Sequence, residues 1–282
     1  MASDRSNDLH VEMDGDGPPL LLLHGFTGGA RTMWPLGRRL APVRHVAAVD
    51  MPGHGRTGMP ADSQLFGFEH TVDALARLLE QRDHMPADIV GYSMGGRIAL
   101  GLAVRHPEHV ASLSLIGASA GISNGVERSA RRRSDDDLAE DLLDHGLEQF
   151  VDRWMASPLL ASQVRLGPDA LADARAQRMD NDPEGLAGSL RGAGAGSQPS
   201  YWHDLAGIHA PTLLVVGDED PKFRATAMRL AAGLPQSTIS VVPEAGHAPH
   251  LENLDRTAAV ILGFLDELDE DRQAAGGWGP KR

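Results

Sequence analysis

The sequence predicts an α/β fold: a mostly parallel sheet covered by helices on both faces, with a helical cap insertion. Three observations carry this expectation. Short apolar runs alternate with segments of helical period, as they do in βαβ units. One run, Asp88-Ile89-Val90, enters a helix-forming stretch through Gly91-Tyr92-Ser93-Met94-Gly95, a G-x-S-x-G turn. Between Gly117 and about Pro199 the alternation stops, and the chain becomes rich in Arg, Asp and Ala without a strand-like run.

Taken in order, the first 18 residues form a ragged lead-in with a short strand near Leu9–Met13. Strands follow at Leu20–Leu23, Val46–Val49, Ile89–Val90, Leu113–Ile116, Leu213–Val216 and Ile239–Val242. Helical period places helices at Thr32–Leu40, Glu69–Arg82, Met94–Arg105, Ala225–Ala232 and Asp255–Leu268. The irregular stretch falls between the fourth and fifth strands after Pro18, so it should stand over their carboxyl ends as a cap. The expected division is a core over 1–116 and 200–268, a helical cap over 117–199, and a flexible, polar, Gly-rich tail over 269–282.

Composition narrows the function. A chain of 282 residues, 41% hydrophobic, suits one α/β domain with an insertion and can bury a sizeable core. The absence of cysteine rules out disulfides and thiolate metal sites. With no leader-like segment at the start, it points to the cytoplasm. A formal charge of −13 argues against nucleic acid or an anionic membrane as partner. Screening confines that field to about 8–10 Å, so local arginines decide what a pocket binds.

The turn at Ser93 carries the chemistry. A serine on so sharp a strand-to-helix turn needs small neighbours, and side chains at Gly91 or Gly95 would clash. Its hydroxyl needs a base, and the base an orienting carboxylate, in the chain order Ser, acid, His. Asp220 follows the strand Leu213–Val216 and His247 follows Ile239–Val242, so all three sit at carboxyl ends of strands. Asp218 shares the Asp220 loop as a possible turn former. After Leu20–Leu23, His24-Gly25-Phe26-Thr27-Gly28-Gly29 brings backbone N–H groups close to a substrate oxygen, making the Phe26 and Met94 amides a plausible oxyanion hole. No Gly-Lys-Ser/Thr follows, so this is no phosphate loop.

Asp50-Met51-Pro52-Gly53-His54-Gly55 is expected to be a structural turn bordering the pocket. The pairs His106/His109 and His247/His250 lack an H-E-x-x-H pattern, so no metal is expected. Arg131–Asp135, Arg132–Asp136 and Arg133–Asp137 suit a solvated helix. Arg97, one helical turn after Ser93, lies where an unpaired cation is costly and invites an anionic ligand.

Together these residues resemble the α/β-hydrolase fold over essentially the whole chain, and within it the 2-succinyl-6-hydroxy-2,4-cyclohexadiene-1-carboxylate (SHCHC) synthases of menaquinone biosynthesis. The resemblance lies in Gly91-Tyr92-Ser93-Met94-Gly95-Gly96-Arg97, in the segment from Arg191 to Trp202, and in Gly217-Asp218-Glu219-Asp220-Pro221-Lys222-Phe223. It implies a cofactor-free lyase that eliminates pyruvate, with Ser93, Asp220 and His247 as triad, Ser93 as base, and a small tricarboxylate as substrate. It further implies Tyr92 and Arg97 as carboxylate-binding residues, joined by Arg131, Trp154 and Arg178 from the cap. The implied enzyme needs neither nucleic acid nor membrane and works as a monomer or weak homo-oligomer. A serine carboxylesterase or C–C-bond hydrolase using the same triad stays open, as does a thioesterase. A non-catalytic ligand-binding member of the fold is disfavoured by the intact Ser/Asp/His order.

Overall fold

The apolar runs become the strands of one sheet in a computed structural model that describes residues 9–58 and 62–274. In chain order the main elements are β1 (Val11–Asp14), β2 (Pro19–Leu23), α1 (Ala30–Leu40), β3 (His45–Val49), α2 (Phe68–Gln81), β4 (Ala87–Tyr92), α3 (Met94–Arg105) and β5 (Val110–Ile116). Four helices follow, α4 (Gly125–His145), α5 (Leu147–Met155), α6 (Gly167–Met179) and α7 (Pro183–Ala193). The chain then completes the sheet with β6 (Thr212–Gly217), α8 (Pro221–Gly233), β7 (Ser237–Val242), α9 (Pro249–Glu252) and α10 (Leu254–Ala274).

The strand order is β1-β3-β2-β4-β5-β6-β7. β1 lies antiparallel to β3 at the edge, and every other pair is parallel. The chain leaves β2 toward β3 on one side and returns to β4 on the other. The carboxyl ends of β2 and β4 therefore flank a switch in strand order, where open α/β sheets form their crevices.

Alternation along β2 shows why both faces are covered. Leu20 and Leu22 pack with Met33, Leu36 and Leu40 of α1 and Ile261 of α10. Leu21 and Leu23 point the other way, toward Val72 and Leu75 of α2 and Ile98 of α3. Near-continuous apolar strands of this kind are what a doubly covered parallel sheet demands.

The cap helices α4 to α7 carry a core of their own, built around Ala139, Leu142, Phe150, Val151, Leu186 and Leu190. Asn124 starts α4 by accepting from the Val126 and Glu127 amides at 2.9 and 3.1 Å. Asp182 caps α7 through the Gly185 amide at 2.9 Å, with Pro183 in its first turn.

One expectation needs correction. The chain does not become a loose tail at 269, because α10 continues to Ala274. Its last turns are held by charge: Asp269 accepts from the buried Arg44 at 2.7 Å, and Arg272 donates to the buried Asp88 at 2.9 Å. A polar composition there reflects ion pairing against the core, not fraying. Residues 275–282 of the expected tail lie outside the described residues.

Candidate active site

β4 delivers Ser93 at its carboxyl end with φ +49° and ψ −104°, a left-handed conformation that a non-glycine residue adopts only when its surroundings enforce it. The enforcement is visible in the neighbours. A Cβ on Gly91 would stand 2.5 Å from the Gly95 carbonyl oxygen, and one on Gly95 would collide with the Leu23 backbone. The Ser93 amide donates to Ile116 O at 2.8 Å, tying the turn to β5.

The Ser93 hydroxyl stands 3.0 Å from His247 Nε2, and His247 Nδ1 stands 2.9 Å from Asp220 Oδ2. Asp220 is fixed twice, since its Oδ1 accepts from the Phe223 amide at 3.0 Å as the cap of α8. Burial alone would raise its pKa, but His247, the Phe223 N–H and Lys222 outweigh that and hold it below the ordinary carboxylate value. Phe223 and Tyr92 rings flank the imidazole at 4.4 and 5.5 Å. Asp218 has the other role open to it, accepting from the Ala245 amide at 3.2 Å to clamp the two loops together. Such a chain can move a proton between the serine and an acceptor while the carboxylate orients the imidazole.

Ser93 opens into a cavity of about 360 Å³ between the sheet and the cap. Phe26, Tyr92, Met94, Arg97, Arg131, Trp154, Arg178 and His247 all line it, and Asp220 lies behind His247. Met94 opens α3, where the first amides have no partner within the helix, and neither its N–H nor that of Phe26 has an acceptor among the described residues. Trp154 stacks on Phe150 and meets Phe26 edge to face, so the cap and the β2 loop share one aromatic wall.

The cavity is cationic. Arg97 donates to Ala193 O and Gln198 Oε1 at 3.2 Å, both uncharged acceptors. Burial first, and then the neighbouring Arg131, push its pKa down to about 10. Arg178 is only 8% exposed and donates to Ala174 O, but its Nε has no partner. Burial lowers its pKa as well, partly offset by Tyr92, whose own pKa burial raises. Arg131 donates to Asp135 at 2.7 Å. Only half of that pair is solvated as its spacing suggests: Arg131 is exposed, but Asp135 is 2% exposed and also accepts from the Gly196 amide at 3.0 Å.

The turn at 50–55 makes structural contacts, but none of its residues lines the Ser93 cavity it was expected to border. The Asp50 carboxylate accepts from the Ala30 and Arg56 amides at 2.5 and 2.9 Å, joining it to the start of α1. His106, Glu108 and His109 bring donor atoms within 4.8 Å of one another, a group that the sequence did not point to as a site. His106 Nε2 is paired with Asp73 at 2.8 Å and His109 Nε2 with Glu80 at 3.1 Å, and none of the trio lines the cavity.

A family model described as alpha/beta hydrolase fold matches residues 18–254. A Bacillus subtilis (strain 168) protein provisionally named 2-succinyl-6-hydroxy-2,4-cyclohexadiene-1-carboxylate synthase is 36% identical over 267 residues, covering 93% of this chain and 97% of that one. The synthase of the same name from Enterobacter sp. (strain 638) is 33% identical over 250 residues, covering 88% and 92%. The chain belongs to the SHCHC synthase family of α/β-hydrolases.

Among solved structures, MenH from S. aureus superposes with a TM-score of 0.88 at 32% identity, covering 92% of this chain and 99% of that one. A thermophilic esterase from Thermogutta terrifontis, solved with malate bound, follows with a TM-score of 0.79 at 26% identity, over 92% and 93% of the two chains. The segment 191–202, one of those that resemble SHCHC synthases, has a visible purpose. Its Gln198, fully buried, spans from Arg97 to Ser119 O, and Gly194 and Gly196 let the chain pass close against α4. Lys222, Thr226 and Arg229 of α8 also line the cavity and were not singled out as site residues from the sequence. Their i, i+4, i+7 spacing puts them on one helix face, but only the fold shows which face meets the cavity.

Proposed function

We propose that this enzyme is a lyase that eliminates pyruvate from 2-succinyl-5-enolpyruvyl-6-hydroxy-3-cyclohexene-1-carboxylate to give SHCHC in menaquinone biosynthesis. The observation that carries the reading is Ser93, hydrogen-bonded to His247, in one cavity with Arg97 and Arg178, neither of which pairs with a carboxylate among the described residues. A hydrolase of neutral esters has no use for those cations. A substrate with three carboxylates supplies the missing partners.

In this reading His247 Nε2 takes the Ser93 proton, and the Ser93 oxygen removes the proton from the ring carbon bearing the succinyl group. The negative charge develops on the succinyl carbonyl oxygen, where the Phe26 and Met94 amides stabilise it. As that charge returns, the ring 3-ene becomes the 2,4-diene and the C–O bond to the enolpyruvyl group breaks. The departing enolate gains a proton on its methylene carbon and leaves as pyruvate. Ser93 serves as base throughout, so no acyl-enzyme forms. Asp220 holds the imidazole tautomer and stabilises its charged form. Proton transfer and elimination require no electron carrier, so the reaction is cofactor-free.

The test is pyruvate release from the enolpyruvyl substrate, made in situ by the upstream synthase. Wild type should release it fast, while Ser93→Ala and Arg97→Ala lose about 10²-fold or more in kcat/KM. Release no faster than spontaneous decay refutes the assignment. The malate-bound esterase gives a specific second reading, a carboxylesterase for anionic esters, which steady hydrolysis of such esters by the wild type would favour.

A further inference from the structure

The proposed reaction leaves one wall of the cavity without a task. α8 presents Lys222, Thr226 and Arg229 to the same space as Ser93, while its opposite face buries Ala227 and Leu230 against the sheet. Lys222 stands in the first turn of α8, a turn with no acidic residue. The helix dipole disfavours a cation there, so local propensity does not explain this lysine. Asp220, the carboxylate whose charge Lys222 favours, is already taken by His247 and the Phe223 amide. Neither Lys222 nor Arg229 forms an ion pair among the described residues; Lys222 instead lies 5.5 Å from the Phe223 ring.

Arg229 is not adrift either. Its guanidinium lies 3.7 Å over the Trp202 ring, and Trp202 is itself pinned by its Nε1–H donating to Gly121 O at 2.7 Å. An arginine stacked this way keeps its N–H edge pre-oriented and free to donate. Glu127 is the one acidic residue lining the cavity among the described residues, against Arg97, Arg131, Arg178, Lys222 and Arg229. On a chain of net charge −13, such a local excess of cations makes the cavity mouth attractive to an anion that the rest of the surface repels.

We propose that the Lys222–Thr226–Arg229 face of α8 is a carboxylate-binding rim, separate from the arginines at the floor and in the cap. It rests on the proposed function for the anion's identity, and its ligand is an aliphatic carboxylate, carried either by the incoming substrate or by the small keto acid it releases. Both cations are exposed, so the rim acts through a screened field plus one or two hydrogen bonds, and salt weakens it.

The experiment compares wild type, Lys222→Gln, Arg229→Gln and the double variant by calorimetric titration with citrate, a tricarboxylate probe, in about 0.02 M and about 0.5 M salt. Each substitution should weaken citrate about threefold at low salt and the pair about tenfold, with the differences falling below about twofold at high salt. Arg105→Gln, whose arginine pairs with Glu69 and Asp73 outside the cavity, should change nothing. Titration with pyruvate separates the sources: an equal loss assigns the rim to the released acid, and a loss confined to citrate assigns it to the substrate. Absence of citrate binding, indifference to both substitutions, a salt-independent loss, or an equal loss in Arg105→Gln overturns the proposal. Citrate binding needs no turnover. A wild type that binds citrate through Lys222 and Arg229 yet releases no pyruvate would refute the lyase and keep the rim.

Discussion

Arg97 shows at the residue scale how a site is kept ready for an anion. Its guanidinium is neither free nor neutralised: two carbonyl-type acceptors, Ala193 O and Gln198 Oε1, fix its plane and leave its charge uncompensated. With its pKa pushed down to about 10, it is charged at neutral pH and loses its charge as pH rises through that value. A bound carboxylate would pull the pKa back up. In the pyruvate-release assay, kcat/KM should therefore fall above about pH 10 while kcat holds to higher pH. Arg97→Lys keeps a charge but cannot span both acceptors, and should raise KM about tenfold with kcat within about threefold. A KM unchanged by that substitution would show that charge alone suffices. The meeting of Ser93, Asp220 and His247 is legible in the sequence because each lies at the end of a strand or on the loop that leaves it, and strand ends are easy to place. The burial of Asp135 is not legible for the opposite reason. Helical spacing pairs it with Arg131, but nothing local shows that the 194–196 segment will cover it.

Element boundaries show the same division. β2, β3 and α3 appear in the sequence nearly as they fold, since their apolar runs are unbroken and the G-x-S-x-G turn and Pro107 bound α3. α4 does not: its face is mostly charged, and its burial against α7 comes from only a few residues such as Ala139 and Leu142. The full length of α10 is not legible in the sequence because its last turns are acidic and their partners are distant in the chain. Arg44, on the loop before β3, is 2% exposed and reaches both Asp88 on β4 and Asp269 on α10. Removing the chain from Asp269 onward would leave that buried arginine with Asp88 as its one carboxylate and take Arg272 from Asp88. The truncation should cost about 3 kcal/mol or more in urea unfolding, because a buried charge that loses a partner is expensive. A loss within about 0.5 kcal/mol would restore the frayed-tail reading.

At the scale of the whole molecule, His24, His54 and His250 are buried in surroundings that disfavour their charged form. His24 donates from Nδ1 to Gly25 O at 2.8 Å and accepts the Met51 amide at Nε2 at 3.0 Å, which leaves it no room for a second proton. Burial, above all, lowers the pKa of His24 and lowers that of His54 further. His250 packs its ring 4.2 Å from Tyr92, and burial, with His247 and Arg178 nearby, pushes its pKa down to about 3. In each case the unfolded chain takes up a proton near pH 6.5 that the folded chain refuses. The unfolded state then binds more protons, so stability is full above about pH 6.5 and falls as pH drops toward the folded pKa. Each histidine contributes up to about 1.4 kcal/mol per pH unit within its window. Asp220, whose folded pKa is depressed, adds to the loss only at lower pH, below the ordinary carboxylate range. Urea unfolding between pH 7 and pH 4 should therefore show stability declining well before carboxylates titrate. His250→Leu, close in volume, removes one of these protons and should flatten the decline by up to about 1.4 kcal/mol per unit below pH 6. An identical slope in wild type and His250→Leu would mean that the folded chain protonates His250 in place, and the neutral histidine layer would not be what ties acid sensitivity to the fold.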